Sequence, residues 1–88
     1  MKIREGFVVR KVAGVNVVIS VESKADDSNH MIQLNDTGLL LWDRLVVGAE
    51  KEELVQLLLG EYDVTEDVAR RDVDAFIELL QSADVFEV

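Results

Sequence analysis

The hydrophobic period of this chain changes once, inside residues 31–45, MIQLNDTGLLLWDRL. Before that stretch, apolar residues recur every second position. After it they recur every third and fourth. An alternating pattern suits a pleated strand and the longer period suits one face of a helix. Residues 6–12, GFVVRKV, and 15–22, VNVVISVE, are rich in Val and Ile, with Ala13-Gly14 between them. Glycine supplies the positive φ of a tight hairpin turn, so these runs predict a β-hairpin. In the second run the alternation puts Val15, Val17, Ile19 and Val21 on the buried face. The small polar stretch 23–29, SKADDSN, predicts a loop, and His30 to Leu34 a third strand with Ile32 and Leu34 inward.

Three helices follow. Asn35 is a suitable N-cap and Asp36 suits the positive end of the helix dipole. From there to Val47, apolar residues leave only a narrow polar face near Asp43 and Arg44, which predicts a central helix. Gly38 costs that helix roughly 1 kcal/mol against alanine, which a close approach of another backbone would explain. Gly48 ends it. A second helix is expected over 50–59, with Gly60 as its C′ residue. Thr65 caps a third, in which Ala69, Val73, Phe76, Ile77 and Leu80 form one face, with Val68, Ala75 and Leu79 beside it. The tail Val85-Phe86-Glu87-Val88 predicts a short extended segment. The expected fold is α+β: a three-stranded antiparallel sheet followed by a three-helix bundle, winged-helix-like, in one domain over residues 1–88. Trp42, the only Trp, is expected to fill the seam between sheet and bundle.

Composition removes several functions. There is no Cys and one His, His30, so thiolate chemistry and multi-histidine metal sites are excluded within the chain. Ser28, His30 and Asp26 or Asp27 lie together in one polar loop, whereas hydrolytic triads are assembled from distant segments on a rigid scaffold. Asp26 and Asp27 lack the surrounding pattern of a calcium loop. Ser28 is not at a helix start, as a carrier-protein attachment serine would be. No catalytic residue, metal site or cofactor is therefore expected. Acids outnumber bases, eighteen to nine. They concentrate late: residues 50–88 hold Lys51, Arg70 and Arg71 against twelve acids. A third helix bearing Glu66, Asp67, Asp74 and Glu78 repels phosphate, so no nucleic-acid partner is expected. No apolar run reaches membrane-spanning length and no signal-peptide core follows Met1, which predicts a cytoplasmic protein without a membrane partner.

The ordered set Leu34-Asn35, Thr37-Gly38, Leu41-Trp42, Gly48, Glu53-Leu54, Leu58, Tyr62-Asp63, Val68, Asp72-Val73, Phe76 and Leu80 resembles the PqqD family. Ser28-Asn29-His30 and Ala49-Glu50-Lys51 depart from its pattern, which points to a peptide pathway other than that of pyrroloquinoline quinone. The resemblance implies a RiPP recognition element, a non-enzymatic chaperone that binds the leader of a ribosomally made precursor peptide. It implies that the leader adds to the edge of the third strand, lies against the third helix and is presented to a modifying enzyme, often a radical SAM enzyme. The residues themselves allow this, because the last strand of a meander keeps one edge unpaired. They equally allow a short edge, blunted by Asn29 and Gln33, that binds nothing, as in a winged-helix regulatory or structural interaction domain. On the peptide-binding reading the site is Asn29, His30, Met31, Ile32, Gln33 and Leu34 on the strand. Val68, Arg71, Asp72, Ala75 and Leu79 line it on the helix. Met31, Gln33 and backbone amides are the expected strand contacts, and Arg71 is expected to pair with an acidic leader.

Overall fold

The computed structural model describes residues 1–20 and 32–87. Its elements are β1 (Phe7–Val12), β2 (Val15–Ser20), β3 (Ile32–Leu34), α1 (Asp36–Val47), α2 (Lys51–Glu61) and α3 (Glu66–Ser82). The strands pair antiparallel in the order β1-β2-β3, the meander expected. Ala13 and Gly14 both take positive φ, 52° and 81°, as the two central residues of a tight hairpin require. The expected loop 23–29, the end of the second run at Val21 and Glu22, and Val88 lie outside the described residues.

The face of β2 that meets the helices is the opposite of the expected one. Val18, 1% exposed, joins the core, whereas Val15 is 40% exposed. The ladder gives the reason. Val18 lies opposite Ile32, and Asn16 opposite Leu34. Residues directly opposite share a face. Once Ile32 and Leu34 point inward, as expected, their partners must too. Val9, opposite Val18 on β1, also packs on the core. Val17, opposite Arg10 and Gln33, therefore belongs to the outer face with Val8, Val12, Val15 and Ile19, yet it is itself buried as expected, 5% exposed.

The helices start where their caps predict. The Gly38 amide donates to Asn35 Oδ1 at 2.8 Å, and the Val68 amide to Thr65 Oγ1 at 3.3 Å. Glu53 accepts from the Glu50 amide at 2.9 Å, opening α2. Gly48, at φ 114°, ends α1. Arg44 donates to its carbonyl and to Glu53, at 2.8 and 2.6 Å, which fixes the α1–α2 corner.

Three expectations about the helices need correction. Helix α1 is not buried all round: Gly38, Leu41, Trp42 and Leu45 face the core, while Val46 and Val47 are exposed. Gly60 is not a C′ residue, because α2 continues through it and ends when Tyr62 turns extended. Gly38 is approached by side chains rather than a backbone. A Cβ there would lie 3.2 Å from Asn35 Oδ1 and 3.4 Å from both Leu34 Cδ2 and Phe76 Cε1.

The core joins Trp42, 2% exposed, to Val18, Ile32 and Leu34 of the sheet and to Leu54, Leu58, Val73 and Leu80 of the bundle. Trp42 thus fills the seam, as expected. The tail is extended, also as expected: Phe86 forms an antiparallel bridge with Ile3. That N-terminal segment was not foreseen as structured. Ile3 is buried, and its amide donates to the Leu45 carbonyl at 3.0 Å.

Candidate functional site

Strand β3 is an edge, because it pairs only with β2 among the described residues. In an antiparallel ladder, alternate residues direct both N–H and C=O away from the partner. Either Gln33 or the pair Ile32 and Leu34 therefore offers backbone donors and acceptors on the open side. The side chains of Ile32 and Leu34 are in the core and that of Gln33 is exposed. Asn29, His30 and Met31, the remaining expected strand contacts, lie outside the described residues.

Where β3 passes into α1, a cleft of about 360 Å³ separates that junction from α3. This falls within the ~300–1,000 Å³ range of ligand sites. Asn35, Thr37, Gly38 and Leu41 line one wall, and Asp72, Ala75, Phe76 and Leu79 the other. The α3 residues follow a spacing of three, one and three, which places them on one stripe of a helix. Phe76 is half-buried at the base of that wall, and Leu79, 46% exposed, stands at its rim. Gly38 has no side chain to fill the space between Phe76 and the cap. A depression of about 450 Å³ lies elsewhere, against Met1, Lys2 and the α1–α2 corner. No residue of β1, β2 or β3 lines it, and Glu53 on its wall is already engaged by Arg44.

Of the five helix residues expected at the site, Asp72, Ala75 and Leu79 line the cleft, and Val68 and Arg71 do not. Arg71 is one residue too early on the helix and points further out. The group placed in the cleft is Asp72, of opposite sign. Phe76, assigned by its spacing to the buried stripe, does both jobs: it packs on the core and forms part of the wall. The α1 wall was missed. Gly38, between the polar start Asp36-Thr37 and the apolar run from Leu39 to Trp42, was its one signal in the sequence.

The opposite flank of α3 is saturated with charge pairs. Arg70 binds both Glu66 one turn earlier and Glu52 on α2, and Lys51 reaches Asp74 at 2.6 Å. The hydrogen bond from Arg70 holds the Glu52 carboxyl below the usual carboxylate range. The Arg70 guanidinium is itself held above its usual value, first by Glu52 and then by Glu66. The backbone amide of Glu50 similarly holds Glu53 low. On the cleft side, Asp72 makes no hydrogen bond or ion pair with any described residue.

Among the described residues no helix is long and apolar enough to cross a membrane. No curated protein matches the chain. Two solved structures share its fold. One is TbiB1 in complex with the TbiA(beta) leader peptide, with a TM-score of 0.76 and 24% identity over 99% of this chain and 95% of that one. The other is lasso peptide synthetase B1 complexed with the leader peptide, with a TM-score of 0.71 and 28% identity over 92% of this chain and 89% of that one. Residues 16–85, from β2 to the extended tail, match the family described as coenzyme PQQ synthesis protein D, and the chain belongs to that PqqD family.

Proposed function

We propose that this chain is an accessory peptide-binding protein that takes the leader of a ribosomally made precursor peptide. The leader adds as a strand to the open side of Ile32–Leu34, with α3 as the other wall. The observation that carries this reading is the open cleft beside an unpaired strand edge, with Leu79 exposed on its rim. Backbone hydrogen bonds along such an edge supply affinity for an extended peptide, and flanking pockets supply selectivity. Both solved structures that share the fold are complexes with leader peptides, which supports the same class of ligand here. The bound leader is presented to a separate modifying enzyme, of which a radical SAM enzyme is one class. No chemical step is assigned to this chain. The strand side of the site is backbone from 32–34, continued by Asn29, His30 and Met31. The helix side is Asp72, Ala75, Phe76 and Leu79, with Val68 at its N-terminal end.

The test is a titration of isotope-labelled protein with the leader peptide encoded nearest its gene. Backbone amide shifts are expected in residues 29–34, in 35–38 and in 66–80. Shifts confined to the β1–β2 hairpin, or none with any neighbouring precursor, would overturn the reading.

A further inference from the structure

We infer that the cleft selects a peptide with a cationic side chain, lysine or arginine, seated at Asp72 next to an apolar side chain seated on Ala75, Phe76 and Leu79. This rests on the peptide-binding reading and adds to it the sign of the charge that the ligand must carry.

Three observations converge. Among the described residues, Asp72 is the single ionisable side chain lining the cleft, and none of them brings a cation to it. Asp72 also has no partner among the described residues, whereas Glu52 and Glu66 are held by Arg70 and Asp74 by Lys51; Asp67 and Glu78, the other unpaired acids of the helix, do not line the cleft. Its placement is the third point. It shares one stripe with Ala75, Phe76 and Leu79, so an extended ligand laid along them brings a neighbouring side chain to the carboxylate. Docking a peptide there removes water from Asp72. A carboxylate losing water without gaining a partner is penalised, and a partner cation relieves the penalty. A neutral or acidic residue at that point in the ligand is thereby selected against. The net charge of −9 acts in the same direction at longer range, drawing cationic segments toward the protein.

The probe is a displayed library of short random peptides, selected in parallel on the full-length wild type, Asp72→Lys and Leu79→Glu. All three proteins are checked for a native melting transition. Wild type is expected to enrich apolar residues flanked by Lys or Arg, and Asp72→Lys to turn that flank toward Asp or Glu. Titration of the best wild-type peptide against Asp72→Asn should weaken binding by about two- to five-fold, the range of a partly exposed ion pair. The weakening should shrink as salt rises. Enrichment of apolar residues with no charge preference overturns the inference and leaves the peptide-binding reading standing. So does a cationic preference that survives in Asp72→Lys. Failure of the wild type to enrich any peptide over Leu79→Glu overturns both.

Discussion

The two flanks of α3 are built in opposite ways. Toward α2, Arg70 and Lys51 tie the helix down through Glu52, Glu66 and Asp74. Toward the cleft, Asp72, Ala75 and Leu79 are exposed and make no such ties. Between the flanks runs the buried stripe of Ala69, Val73, Ile77 and Leu80. The stripe and one flank are enough to hold the helix, so the other flank is free of structural duty. An apolar residue left exposed there, such as Leu79, has no folding role to account for it.

The largest effect expected is on the stripe. Leu80→Ala should cost about 2–5 kcal/mol, as deletions from packed cores do. In a domain whose total stability is of order 5–15 kcal/mol, urea unfolding will show this clearly. A loss below about 1 kcal/mol would mean that the stripe does not anchor α3. One residue away, Leu79→Glu should leave stability within about 0.5 kcal/mol of wild type, as surface changes do. It should nevertheless weaken leader binding by at least about tenfold, or ~1.4 kcal/mol. Parallel losses of stability and binding in this variant would erase the distinction between stripe and rim.

Gly38→Ala probes the far wall. Alanine improves helix propensity by about 1 kcal/mol, but its Cβ crowds the cap oxygen and Phe76. The two effects oppose, so stability should change by less than about 1 kcal/mol. The Asn35 side chain must give by a few tenths of an ångström and the added methyl narrows this wall of the cleft, so leader affinity should fall. Unchanged affinity would remove Gly38 from the site.

The smallest effect belongs to the charged flank. Glu52 has a lowered pKa, so its pairing contributes stability above the ordinary carboxylate range. That contribution is lost as pH falls through the lowered value. Arg70→Gln should therefore lower Tm slightly at neutral pH and flatten the loss of stability on acidification. It should leave leader binding alone. A binding defect in Arg70→Gln would show that the two flanks are not independent.

How much of this was visible in the sequence depended on range. Helix starts were visible because Asn35, Thr65 and their amide partners lie within one turn of each other. The β1–β2 pairing followed from the two-residue connection Ala13-Gly14. The inward face of β2 was not visible, because valines occupy both faces and only the pairing with Ile32 and Leu34 decides between them. The cleft was half visible. Periodicity separated Ala75 and Leu79 from the buried stripe, but it could not tell Asp72 from Arg71 as the residue facing inward. Nor could it bring Thr37 and Gly38 opposite α3, because that juxtaposition is tertiary. The position of Phe76 on the boundary of the stripe made it ambiguous for the same reason.

The bridge between Ile3 and Phe86 bears on the order of folding events. It joins residues separated by nearly the whole chain, and Arg4 and Glu87 extend it with backbone bonds of 2.9 Å to Val85 and 2.8 Å to Lys2. Closing so long a loop early costs more entropy than forming a hairpin or capping a helix. The contact is therefore expected to form after the rate-limiting barrier, on a scaffold already assembled. Ile3→Ala should then accelerate unfolding and leave the refolding rate nearly unchanged in a chevron analysis. A slowed refolding limb would place this clasp within the nucleus instead.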